Sequence, residues 1–552
     1  MPQPNGMPMQ EIHLTTTQLA SRFLQQATFG PTSKEIETVA EIGIEPWLDR
    51  QFDMPRTRTQ RYMERVIDRV YRLDGRLRYL MPFSWAWWQS VMTGKDVLRQ
   101  RVATALSEIF VISAKSARLE DFGSIVANYY DMLLKHAFGN FNELLLDVTL
   151  HPAMGHYLSH AGNRKSNPAT NRFPDENYAR EVMQLFSIGL FELNHDGTRK
   201  KDRDGRDIPA YDNADVKEFA KVFTGLTFAE FDSDEPITER VFTNLLIDEA
   251  SGLKPMRMYD AFHERGPKRL LNGKVLPAGQ SGMKDVRDAV DNLFHHGNAG
   301  PFIGKLLIQR LVKSNPSAEY IHRVSNAFDD NGHGVRGDMK ALIKAILMDV
   351  EARDPSFIND PTHGMLREPI LRYTQLCRTF EANNEQSRFF NTGETAQEAL
   401  GQYPFLSPSV FNFFAPNYSP LGPLGEAHFA GPEFQITNSV TATKTTNFWE
   451  RAIFESLMDV PKGELPGDAR PEEKMPNVSD VNLNLRPFQG LTVDQTIDRL
   501  DLLLTYGTLS MPARGVIKRS LMRLAHQGGD WDEVVRLAIY LFMSSPDYVI
   551  LK

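Results

Sequence analysis

The chain has 552 residues, 41% of them hydrophobic and 24% charged. This is ordinary globular composition at a length beyond what one hydrophobic core usually serves, and it predicts a large main domain with appended pieces. With 62 basic against 70 acidic side chains the formal charge is -8, which argues against broad electrostatic binding to nucleic acid or anionic membrane but allows a local basic pocket.

Cys377 is the single cysteine, so neither an intrachain disulfide nor a cysteine-rich metal cluster can form. The first residues, MPQPNGMPMQEIHLTTTQLA, lack a basic start followed by an apolar run, and no later segment approaches the ~20 apolar residues of a membrane helix. The expectation is a soluble chain, cytoplasmic as written, and periplasmic or secreted if an export signal was removed.

From about Thr15 the pattern is helical. SRFLQQATFG and KDVLRQRVATALSEIFVIS repeat apolar residues at three and four, as in Leu98, Val102, Ala105, Leu106 and Ile109. WAWWQ places Trp85, Trp87 and Trp88 just upstream as core filler. Further helices are predicted in YYDMLLKHAFGNFNELLLDVTL, NADVKEFAKVFTG, MKALIKAILMDV and DEVVRLAIYLFMSS. Strand-like alternation is scarce, and short strands are expected only between Thr227 and Val275. The predicted fold is mainly α: a large multi-helix domain with few short strands and long ordered loops. Its main body is residues 1–440, with a polar motif region at 151–270 and an aromatic loop at 401–434, and residues 441–552 form a C-terminal helical extension packed on it. The proline- and aromatic-rich Gly401–Phe434 segment should be an ordered loop with mostly buried rings. DVPKGELPGDARPEEKMPNVSDVNLNLRPFQG reads as an exposed excursion.

The densest polar stretch is NRKSNPATNRFPDENYAREVMQLFSIG, Asn163 to Gly189. Pro174 and Asp175 suit a helix start. Projection at 100° per residue puts Tyr178, Val182, Leu185, Phe186 and Gly189 on one face, with Glu176, Asn177, Arg180, Gln184 and Ser187 on the other. Glu176 and Arg180, four apart, can pair. Glu181 falls at the edge of the apolar stripe, where a carboxylate is partly desolvated. The cations Arg164, Lys165 and Arg180 nearby favour an anchoring ion pair over a proton-exchanging carboxyl. Asn163, Arg164 and Lys165 form a donor-rich loop suited to an anionic or hydroxylated ligand. In FHERGPKRLLNG, His263 lies beside Arg265 and Lys268; cations bias an imidazole toward the neutral form that a general base needs, and the alternative is a histidine that simply bonds a backbone carbonyl in a turn.

HPAMGHYLSHAGNRK, DENYAREVMQLFSIG and DVKEFAKVFTG, together with RFLQQATFGPT, LRQRVATALSEIFVIS, FHERGPKRLLNG, PFIGKLLIQRLVKSNP and SPSVFNFFAPNY, resemble the bacterial family catalogued as domain of unknown function 1800. The likeness spans nearly the whole chain. It implies no activity. It does imply a bacterial protein, often exported, whose relatives often sit beside a second uncharacterised family that resembles sulfatases. The family's best-known blocks fall on Asn163, Arg164 and Lys165, on Glu176, Asn177, Tyr178, Arg180 and Glu181, and on His263, Gly266 and Lys268. Asp175, Glu264 and Pro267 depart from the residues many relatives have there.

Two chemistries suit these residue types. One is proton abstraction beside a carboxylate, with Tyr178, Glu181 or His263 moving the proton. The other is binding of phosphate or sulfate by Arg164, Arg180 and Lys268. His156 and His160 are four apart but no carboxylate sits at zincin spacing, and the aspartates of DGTRKKDRDGRDIPAYD miss the EF-hand register, so no metal set is expected. No glycine-rich phosphate loop or serine elbow appears, and no particular cofactor is indicated. The leading expectation is a central polar pocket that binds an anionic ligand, a saccharide or a phosphate or sulfate ester, with transformation of that ligand left open. The alternative is a non-catalytic binding or maturation partner of the sulfatase-like neighbour, working through the aromatic segment.

Overall fold

Many helices in this chain start where the sequence offers a side-chain acceptor. Thr15, Thr32, Asp212, Asn438, Thr492 and Asp530 each open a helix with a capping box, accepting from the third residue's N–H while that residue bonds back. The computed structural model describes residues 13–70, 80–116, 119–229, 238–239, 242, 246–383, 394–455 and 482–552. Among these residues 25 helices are present, and the strands are few and short, so the fold is mainly α. None of these helices is long and apolar enough to cross a membrane. Most of the polar excursion expected before the last helices, and the first 12 residues, lie outside the described residues.

Three antiparallel two-residue pairs occur: Leu226–Thr227 with Arg257–Met258, Lys268–Arg269 with Val275–Leu276, and Met365–Leu366 with Ile550–Leu551. The first two fall where strands are expected, overrunning that region by one residue at each end. The third lies outside that region, because a two-residue pairing is too short to show alternation. It ties the chain's last residues to the middle of the sequence. Ser21 on the helix Thr16–Ala27 likewise donates to the Leu502 carbonyl at 2.6 Å. One hydrophobic core runs from Phe23 through Trp87, Tyr129, Phe186 and Leu307 to Phe542.

Two helices that position the interior are polar where the rule says apolar. Thr16–Ala27 buries Ser21, Arg22, Gln25 and Gln26 along with Phe23 and Leu24, and Val97–Ser107 buries Gln100, Arg101 and Thr104 along with Leu98 and Val102. A helix covered all round must satisfy those groups internally.

The aromatic segment is pinned across this interior, though less completely than expected. Tyr403, Phe405 and Phe414 are buried; Phe413, Tyr418, Phe429 and Phe434 are half-buried; Phe411 is exposed. Trp88 Nε1 donates to the Tyr403 hydroxyl at 2.9 Å, and the Arg310 guanidinium lies 4.6 Å over the Phe414 ring. Phe414→Ala should therefore cost about 3 kcal/mol in denaturant unfolding and Phe413→Ala clearly less. Equal losses would mean that ring burial does not set the contribution of this loop.

Candidate functional site

The motif region assembles around backbone contacts. Asn163 clamps Asp175: its Nδ2 donates to the Asp175 carbonyl (3.2 Å) and its Oδ1 accepts from the Asp175 N–H (2.9 Å). The loop thus lies against the start of the helix Asn177–Gln184, whose first N–H is capped by Asp175 Oδ1 at 2.8 Å. The same loop reaches the His263 turn, since Lys165 N–H donates to the Phe262 carbonyl (2.8 Å) and Ser166 Oγ to Glu264 Oε2 (2.6 Å). Tyr178 and Val182 on the helix, and Phe186 and Gly189 just beyond it, are buried as projected and Leu185 is half-buried, whereas Ser187 turns inward because the helix ends at Gln184.

His263 and Lys268 are fully enclosed. His263 is 0% exposed, with Nδ1 2.8 Å from the Thr224 carbonyl and Nε2 2.9 Å from Asp285 Oδ2. Both ring nitrogens are taken up by protein groups and the ring is enclosed, so no ligand reaches it as a general base requires. Lys268 Nζ donates to the same Asp285 oxygen (2.6 Å) and to the carbonyls of Glu264 and Gly266 (2.5 and 3.2 Å). Burial alone would raise the Asp285 pKa; the hydrogen bonds from His263 and Lys268 hold it below the ordinary carboxylate value. Tyr178 is equally enclosed: its hydroxyl donates to Thr149 Oγ1 at 2.7 Å and its ring stacks on His160 at 3.9 Å. His160 lies beyond the helix Pro152–Tyr157 and therefore shares no helical face with His156, and among the described residues no group of three or more potential metal ligands is found.

The remaining motif residues are nearer the surface. Arg180 pairs with Glu176 at 3.3 Å and donates to Asn213, while Asn177 is exposed. Arg164 and Arg172 both donate to Glu239 Oε1. The ion-pair anchor expected for Glu181 is not formed: its Oε2 is buried without a hydrogen-bond partner, and burial raises its pKa against the lowering effect of Arg180. A raised folded pKa means that the native carboxyl keeps its proton at pH values where the unfolded one has lost it, so the wild type loses stability as pH rises through the ordinary value. Glu181→Gln should thus melt with the wild type below pH ~4 and above it at neutral pH. A lower melting point at neutral pH would restore the anchor.

The motif-region residues line neither of two cavities that lie in the polar interior, one of which is bordered by the aromatic segment. One cavity is lined by Gln25, Thr28, Gly30, Arg101, Arg367 and Gln375, with Phe29, Met365, Leu371 and Leu551 closing it. The space it encloses is small, on the order of one water molecule. Gly30, at φ +112°, lets the chain pass against Gln375, where a Cβ would meet Gln375 Cα at 2.6 Å. Arg367 is anchored, donating to the Tyr548 carbonyl (2.6 Å) and to the amide oxygens of Gln25 and Gln375. Arg101 is less so. Its Nη2 donates to the Arg310 carbonyl, but Nε and Nη1 are buried with no partner.

Behind Arg101 stand three buried carboxyls. Gln402 Nε2 bridges Glu368 Oε2 (2.5 Å) and Glu108 Oε1 (3.2 Å), and Arg310 Nε lies 3.0 Å from Glu108 Oε2. Burial and the Glu368 charge push Glu108 well above the ordinary carboxylate range, and burial pushes Glu433 up to about 8. The missed residues did leave a signal: Arg101 and Glu108 fall on the same three-and-four stripe as Leu98, Val102, Ala105 and Ile109.

These observations define a mainly α protein built around an enclosed polar centre. Residues 22–550 match the family profile described as Protein of unknown function (DUF1800), and the chain belongs to that family. No curated protein and no solved structure matches it.

Proposed function

We propose that this chain binds a small anionic group, a phosphate, a sulfate or the carboxylate of a sugar acid, between Arg101 and Arg367. The observation that carries the reading is that Arg101, whose Nε and Nη1 have no hydrogen-bond partner, lines a cavity that Arg367 also lines and no carboxylate does. A buried guanidinium with open N–H groups costs free energy until an acceptor meets it, and oxyanions match its fork. Stretches that carry the family resemblance supply this wall: RFLQQATFGPT gives Gln25, Thr28 and Gly30, and LRQRVATALSEIFVIS gives Arg101.

Melting of the whole chain in inorganic phosphate, sulfate and glucuronate, each matched in ionic strength with sodium chloride, tests this. At least one of the three should raise the midpoint saturably, as preferential binding to the folded state requires, and Arg101→Gln should lose the rise. A rise that stays linear in concentration, or that survives in Arg101→Gln, reports exclusion of the salt from the surface and overturns the proposal.

A further inference from the structure

We propose that His195 and His322 bind one divalent transition-metal ion of the kind that imidazole prefers, Zn²⁺, Ni²⁺ or Cu²⁺, with water completing the coordination. The two Nδ1 atoms face each other at 3.2 Å, and the ring planes are 76° apart. Two nitrogens held by one zinc at ~2.1 Å and a tetrahedral angle stand about 3.4 Å apart, so the pair already has the spacing of a chelate.

The fold builds this spacing from two elements. His195 sits in the turn Asn194–Gly197, which closes where the Gly197 N–H donates to the Asn194 carbonyl at 2.9 Å. The turn lies against the helix Ala318–Asp329: Gly197, at φ +75°, passes so close that a Cβ would meet Ile321 Cγ2 at 2.9 Å. That helix supplies His322 and, two turns later on the same face, Asp329. The His195 ring lies between them, with Nδ1 toward His322 and Nε2 2.8 Å from Asp329 Oδ2.

Asp329 decides the chemistry of that ring. A carboxylate only accepts, so His195 Nε2 carries the proton and the neutral imidazole presents its lone pair at Nδ1, toward His322. A carboxylate on the far nitrogen is what orients a metal-ligating histidine and makes it more basic. Arg336 donates to the other Asp329 oxygen and fixes it in place. Arg323, beside His322 in the chain, is turned to Asp349 at 2.7 Å. His322 is exposed and the His195 side chain is 34% exposed, so an ion reaches the pair from solvent while the fold holds one ligand ready.

The test uses the whole chain, stripped of metal with a chelator and titrated at neutral pH with ZnCl₂, NiCl₂ and MgCl₂, following heat of binding and melting. The tightest Zn²⁺ or Ni²⁺ event should saturate at one ion per chain and raise the melting point, whereas Mg²⁺, which seeks oxygen, should not. His322→Ala should weaken that event at least tenfold and leave the metal-free melting point unchanged, because the side chain is exposed. Asp329→Asn should weaken it about tenfold with the stoichiometry kept, the loss expected when the group behind a ligand is altered. His295→Ala, at another exposed histidine, should bind as the wild type does. The proposal is overturned if neither Zn²⁺ nor Ni²⁺ binds saturably, if His322→Ala binds as tightly as the wild type, or if Mg²⁺ binds equally well. A lowered metal-free melting point in His322→Ala at unchanged affinity would likewise overturn it, leaving a hydrogen bond between two rings and nothing more.

Discussion

Asp285→Ala should be the most damaging single substitution in the motif region, lowering unfolding free energy by roughly 5 kcal/mol, the upper end for breaking a buried ion pair. One carboxylate serves two enclosed partners here, His263 Nε2 and Lys268 Nζ, through the same oxygen, and accepts from Gln280 on the other at 2.6 Å. Its removal leaves an ammonium, 2% exposed, with carbonyls alone. The double replacement Asp285→Leu with Lys268→Met should recover much of the loss, because cation and anion leave together. The pH dependence follows from the depressed Asp285 pKa. Its stabilisation is fully present above the ordinary carboxylate value and is lost as pH falls through the folded one. The gap between wild type and Asp285→Ala should therefore close in acid, below pH ~4. Urea titrations at pH 7 and pH 3 read both effects; a gap that stays constant would remove Asp285 as the source.

The second large effect belongs to Glu433. It sits in the single turn Pro432–Gln435, 1% exposed, with both carboxyl oxygens lacking a partner. Burial pushes its pKa up to about 8, and Glu368 nearby adds to the rise against Arg310. The sign is opposite to that of Asp285. The unfolded chain gives up this proton near pH 4.5 and the native chain near 8, so native stability falls across that interval and levels off above it. At pH 9, Glu433→Gln should be more stable than the wild type by on the order of 4 kcal/mol, and at pH 4 the two should coincide. Equal stabilities at both pH values would mean that the carboxyl is already ionised in the folded state.

The helical class was legible because periodicity, caps and the absence of alternation all point one way. The motif region was legible as a cluster: Asn163, Asp175, Lys165, Phe262, Ser166 and Glu264 do meet. What spacing could not tell was the role of each residue. His263 reads as a base from its cationic neighbours, yet its environment is set by Asp285, 22 residues on, and by the Thr224 carbonyl, 39 residues back. Glu181 reads as an anchor because cations crowd its sequence, but Arg164 is spent on Glu239 and Arg180 on Glu176 and Asn213. The interior centre was hidden for a different reason. Arg101 with Glu108, Arg310, and Arg367 with Glu368 come from three separate stretches, and within each stretch alone the charges look like the exposed face of a helix. The telling feature was a charge on the apolar stripe, which an apolar count passes over.

The central claim is that an anion seats against Arg101, and selenate, an anomalously scattering mimic of sulfate, can locate it. Crystals of the whole chain grown in selenate should give an anomalous peak in the cavity shared by Arg101 and Arg367, with oxygens about 3 Å from Arg101 Nε and Nη1. A map without a peak there, even with one between Arg164 and Arg172 at the surface, would contradict the account.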